Sequence, residues 1–128
     1  MSVARRIVAF LDLAVQDVDA AKTLASTRNR YAAYHCQQAT EKLIKAVLLH
    51  RSIESGTEHR LDVLVDKLPD DDPWKAKLRP LDVYSPYATT FRYPTPGGRI
   101  PAAPEPTQVA ADASTIEALI KEARTSLA

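Results

Sequence analysis

The sequence predicts an all-α fold: an antiparallel up-and-down helical bundle of four main helices plus a short helix, forming one domain over residues 1–128. Three observations carry this. Apolar residues recur at spacings of three and four in several separate stretches. No stretch alternates valine, isoleucine or aromatic residues with polar ones, as a half-buried strand would. Helices that are apolar on one side and joined by short turns bury those faces by packing antiparallel.

The totals are consistent with such a domain. A chain of 128 residues can bury one core without staples. The 45% hydrophobic and 26% charged composition is that of an ordinary soluble protein. A net charge of +1 gives no global field that recruits nucleic acid or an anionic membrane, so such binding needs a local patch. Cys36 is the only cysteine, which excludes an intrachain disulfide and suits a reducing cytoplasm. Arg5 and Arg6 precede Ile7, Val8 and Phe10 as in a leader peptide. Asp12, Gln16, Asp17 and Asp19 then interrupt the apolar run. No apolar stretch is long enough to span a bilayer, so no membrane partner is expected.

The first helix is expected from about Val3 to about Ser26, with Ile7, Leu11, Ala14, Val18, Ala21 and Ala25 as its buried stripe. The second runs from about Arg30 to about Arg51. Its stripe is Ala32, Cys36, Ala39, Leu43, Ala46 and Val47, several of them small enough for a neighbouring helix to approach closely. Gly56 fits the turn that follows, and Thr57 can cap a short third helix carrying Leu61, Leu64, Val65 and Leu68. Asp70, Asp71 and Asp72 before Pro73 read as a helix start, with acids at the positive end of the dipole and proline in the first turn. The fourth helix carries Trp74, Leu78, Leu81 and Tyr84, and Pro80 and Pro86 kink or segment it. Prolines cluster with Gly97 and Gly98 in an extended loop at about 94–106. The last helix runs from about Thr107 to about Ser126, with Val109, Ala113, Ile116, Ile120, Ala123 and Leu127 inward.

On the second helix Gln38, Glu41, Lys42 and Lys45 share one face, and Glu41 with Lys45 is a favourable i,i+4 pair. Spacing alone is satisfied by a solvated face laced with weak ion pairs. The string Tyr-His-Cys-Gln-Gln-Ala-Thr-Glu-Lys-Leu-Ile-Lys-Ala-Val-Leu at residues 34–48, however, resembles the second-helix signature of the HEPN family (higher eukaryotes and prokaryotes nucleotide-binding). Two further blocks follow in the same order. Thr57, Glu58, His59, Arg60 and Leu61 resemble the family's Thr-His-x-Leu segment with Glu58 inserted. Tyr87 through Phe91, Arg92, Tyr93 and Pro94 resemble its aromatic stretch ending in Arg-Tyr-Pro. The resemblance implies a helical bundle, a homodimer, and a small nucleotidyltransferase partner in a toxin–antitoxin-like pair. It also implies a nucleotide or RNA ligand, without a cofactor.

That ligand would be bound by Gln38, Glu41, Lys42, Lys45, His59, Arg92 and Tyr93. Within this set an inter-helix ion pair between Glu41 and Arg92 is expected to flank a cleft rimmed by Lys42, Lys45 and Tyr93. Some branches of the family are metal-independent ribonucleases with an Arg followed a few residues later by a His. Arg30 and His35 have that spacing. Yet five residues along a continuous helix turn the side chains about 140° apart, and the pair lies at the start of the second helix rather than a later one. Catalysis is therefore not assigned, and the reading leans to a non-catalytic binding module. The alternatives are a ribonuclease toxin with a dimer-interface site and a structural dimerisation scaffold. His35, His50 and His59 share no obvious face, so no metal site is expected.

Overall fold

The computed structural model describes residues 2–127. Met1 and Ala128, the ends of the expected domain, lie outside the described residues. The elements follow as α1 (Val3–Ser26), α2 (Ala32–His50), α3 (Leu61–Asp66), α4 (Pro73–Leu78) and α5 (Pro106–Ser126). Segments of 3-10 helix at Arg79–Ala88 and Thr90–Arg92 lie between α4 and α5. No strand occurs among the described residues. The fold is the expected all-α bundle. Its fourth main helix is α4 continued directly by the 3-10 segment, with Pro80 in that segment's first turn and Pro86 inside it. Each proline removes a donor and crowds the preceding turn, which accounts for the segmentation.

The α1 stripe is buried throughout, and Ser2 caps the helix by accepting from the Arg5 N–H at 3.1 Å. The turn into α2 is tighter than the sequence suggests. Arg28 takes a positive φ of 57°, and the Asn29 side chain accepts from the Tyr31 N–H at 2.9 Å. That turn delays α2 to Ala32, so Arg30 lies outside the helix.

α2 packs against α1, α3, α5 and the long 3-10 segment. Being surrounded, it buries more than its apolar stripe: Gln37, Thr40 and Glu41 are also buried. The Thr40 hydroxyl satisfies itself by donating to the Cys36 carbonyl at 2.8 Å. Cys36 is wholly enclosed, and burial, followed by the nearby Asp112 charge, pushes its thiol up to about 12. A thiol reagent at neutral pH should therefore modify the native chain only as fast as the chain unfolds. Rapid labelling of folded protein would contradict this burial.

After α2, Ser52 and Gly56 both adopt left-handed backbone, at φ 59° and 58°. Thr57 does not cap α3, which begins only at Leu61. The Leu61 N–H instead donates to the Ser85 hydroxyl at 2.9 Å, so the cap comes from the 3-10 segment packed beside it. At α4 the expected start is found: Asp72 accepts from the Trp74 N–H at 3.0 Å, with Pro73 in the first turn. Arg51 at the end of α2 donates to the same carboxylate at 2.8 Å. The segment from Tyr93 to Glu105 has no helix, and Gly98, at φ 79°, makes its tight turn. No helix among the described residues is long and apolar enough to cross a membrane.

Candidate functional site

The polar residues of α2 divide into three groups, each meeting a different neighbour. The first centres on Glu41. One carboxylate oxygen accepts from Gln37 Nε2 at 2.9 Å. The other accepts from Lys45 Nζ at 3.0 Å and lies 2.9 Å from His59 Nδ1. Gln38 Nε2 donates to the Gln37 side-chain Oε1 at 2.6 Å, and Gln37 Nε2 also donates to the His59 backbone carbonyl at 3.4 Å. This network ties the loop before α3 to the middle of α2. Burial pushes the Glu41 pKa up, but hydrogen bonds from His59, Gln37 and Lys45 and the Lys45 charge outweigh it and hold the carboxyl below its ordinary value.

A carboxyl with a depressed folded-state pKa contributes stability above the ordinary carboxylate value and loses it as pH falls through the lowered one. Asp72 behaves alike. The Arg51 hydrogen bond lowers its pKa, partial burial opposes this, and the Trp74 N–H reinforces it. Acid unfolding should therefore set in below roughly pH 5. Melting temperatures measured across acid pH should fall less steeply for Glu41→Gln than for the wild type. Parallel profiles would contradict the coupling.

The second group faces α1. Asp17 receives Lys42 on one oxygen and lies 3.0 Å from His35 Nδ1 through the other. Asp17 sits off the buried α1 stripe, so nothing in the sequence pattern marks it as a site residue. Its role depends on which α2 side chains it meets.

The third group is the aromatic block. The Arg92 guanidinium lies over the Tyr34 ring at 4.5 Å and near the Tyr93 ring at 5.9 Å. The expected pair with Glu41 does not form. Tyr34 and Glu41 are about 10 Å apart along α2 at 1.5 Å per residue, and Arg92 sits at the Tyr34 end. Arg92 Nε is buried without a hydrogen-bond partner. Its terminal nitrogens, which reach solvent, make no hydrogen bond or ion pair with the described residues. The cleft expected between Lys42, Lys45 and Tyr93 is also not a single cavity. Tyr93 lines one of about 590 Å³, while Lys45 lines a separate one of about 70 Å³ with Arg6, Phe10 and Leu49.

Arg30 and His35 are held by different elements. α2 begins between them, yet Arg30 Nη2 donates to the carbonyls of Phe91 at 3.1 Å and Pro101 at 2.6 Å, with its guanidinium 4.8 Å from the Phe91 ring centroid. His35 meets Asp17. No group of three His, Cys, Asp or Glu side chains among the described residues is placed to hold a metal ion.

The structure is an all-α bundle with a carboxylate network on its central helix and an Arg-aromatic cluster at one end. The model of the HEPN domain matches residues 7–127, and the chain belongs to that family. No curated protein and no solved structure matches it.

Proposed function

We propose that the chain is a non-catalytic HEPN module that binds a nucleotide-like anion through Arg92, between Tyr34 and Tyr93. The observation that carries this is the Arg92 guanidinium, a charged group with a buried N–H and no carboxylate or carbonyl partner. An unpartnered buried donor costs about 1–3 kcal/mol, and arginine is the side chain best shaped for a phosphate or carboxylate. Lys42, Lys45 and His59 are by contrast each engaged with Asp17 or Glu41. The Glu41 network then acts as scaffold for the helix that presents Tyr34. Gln38, Lys42 and Lys45, held by Gln37, Asp17 and Glu41 farther along α2, belong to this scaffold.

Family membership supports a homodimer and a small nucleotidyltransferase partner in a toxin–antitoxin-like pair as the cytoplasmic setting of this module. Both are tested by co-purification and by sedimentation of the purified chain. Ligand binding is tested by thermal shift with nucleotides at millimolar concentration. A ligand at a hundred times its Kd stabilises by about 2.7 kcal/mol. No shift with any nucleotide would overturn the anion-binding reading and favour the scaffold.

A further inference from the structure

The cavity of about 590 Å³ has Tyr87, Phe91, Tyr93, Pro94, Thr95 and Pro101 in its wall. None of its described lining residues is charged, so what touches that wall is uncharged there. The Tyr87 and Phe91 rings stand edge to face, with centroids 4.9 Å apart at 82°, and present two surfaces nearly at right angles. Arg30 is a buttress outside the cavity: one nitrogen holds the carbonyls of Phe91 and Pro101, so the wall is preformed. The Tyr87 and Tyr93 hydroxyls reach solvent and make no hydrogen bond with the described residues. They are donors open to a ligand's acceptors.

Pro86 lines this cavity and also a neighbouring one of about 440 Å³, with Arg60, Val83 and Thr89. The two meet at Pro86 and make one groove, which suits an extended occupant. Val83 in the second cavity and Ile100 beside Pro101 in the first are 61% and 75% exposed. Charge distinguishes the ends. The Thr95 N–H donates to the Arg99 carbonyl at 2.8 Å, and the Arg99 N–H to the Thr95 hydroxyl at 3.0 Å. Arg99 is thus fastened to a wall residue. Its side chain is exposed and makes no hydrogen bond or ion pair with the described residues. At the other end the cations are already paired, Arg60 with Asp62 at 2.9 Å and Arg79 with Asp82 at 3.3 Å.

We propose that this groove docks a proline-containing acidic segment of a partner protein, held extended as polyproline II. Its prolines lie against Tyr87, Phe91 and Tyr93, and a carboxylate rests on Arg99. A polyproline II chain has no internal hydrogen bonds, so its carbonyls stay open to the tyrosine hydroxyls, and it loses little entropy on docking in an aromatic groove. An unpaired arginine at one end selects an acidic flank over a basic one. Arg92 lines neither cavity, so peptide docking is separate from anion binding at Arg92 and can fail separately.

The test is an NMR titration of the full chain with three synthetic peptides. The first is Pro-Pro-Leu-Pro-Pro-Leu-Asp-Glu. The second carries Lys-Lys in place of the acids, and the third has serine for every proline with the acids kept. The first should bind saturably and about tenfold more tightly than either control, with shifts concentrated in residues 83–102. Tyr87→Phe, which removes one hydroxyl and keeps the ring, should weaken it roughly threefold. Arg99→Glu should invert the charge order, so that the lysine peptide binds more tightly than the acidic one. If that variant does not fold, Arg99→Ala should abolish the preference. Equal affinities of the proline and serine peptides would overturn the proposal, because charge alone would then account for binding. A charge order unchanged in Arg99→Glu, or no saturable binding at millimolar peptide, would overturn it as well. A dimer that Arg99→Glu dissociates in sedimentation, with none of the peptides bound, would give the groove to a second copy and overturn the peptide.

Discussion

Glu41→Ala is expected to destabilise the fold by about 3–5 kcal/mol, the usual cost of removing one partner of a buried ion pair. The Glu41 and Lys45 side chains are only 10% and 12% exposed, so water cannot replace the lost carboxylate fully. The substitution also takes the shorter of two acceptors from the wholly buried Gln37 amide and releases the His59 imidazole. For a chain of this size the loss corresponds to a fall in Tm on the order of 10–20 °C. Glu41→Gln keeps the shape and one acceptor and should lose less. Thermal or urea melts of both variants check the ordering. A loss below about 1 kcal/mol for Glu41→Ala would mean that the network is ornamental to the fold.

Arg30→Ala is expected to cost about 2–3 kcal/mol and to loosen the loop it grips. Two charge-assisted hydrogen bonds to carbonyls and the stack on Phe91 are lost together. The effect should concentrate locally. Hydrogen exchange and protease cutting should rise in residues 93–105 before the rest of the bundle opens. Arg30→Lys keeps the charge but not the flat stack, so it should restore only part of the loss. A loop that exchanges no faster in Arg30→Ala would contradict the buttress. The same variant bears on the ribonuclease alternative. RNA cleavage by the wild type that vanishes in both Arg30→Ala and His35→Ala, with the bundle still folded, would return these residues to catalysis.

The helices with clean apolar stripes were legible from the sequence because burial of one face imposes the period directly. Every stripe residue assigned to α1 and α5 is buried. The ends were less legible where a cap comes from elsewhere: Ser85 serves α3 from the 3-10 segment, and Thr57 is left in the loop. α2 exposes the limit of pattern reading. Gln37 and Thr40 look like surface residues, yet a helix surrounded by neighbours buries them and satisfies them with local hydrogen bonds. The polar face was visible as a set, but its division was not. Whether Glu41 meets His59 or Arg92, and whether Asp17 meets Lys42, depends on helix register and loop path. Arg30 illustrates the same point, since its partners lie 61 and 71 positions away in sequence.

The central claim is that Arg92 is a cation held in place for an anion. It is tested most directly by calorimetric titration of the wild type and Arg92→Ala with AMP, alongside thermal melts of both. The account predicts saturable binding to the wild type. It predicts at least tenfold weaker binding to Arg92→Ala, the loss of about 1.4 kcal/mol or more, at nearly unchanged stability. Equal affinities for the two proteins would contradict it, as would an Arg92→Ala variant that loses stability but not AMP.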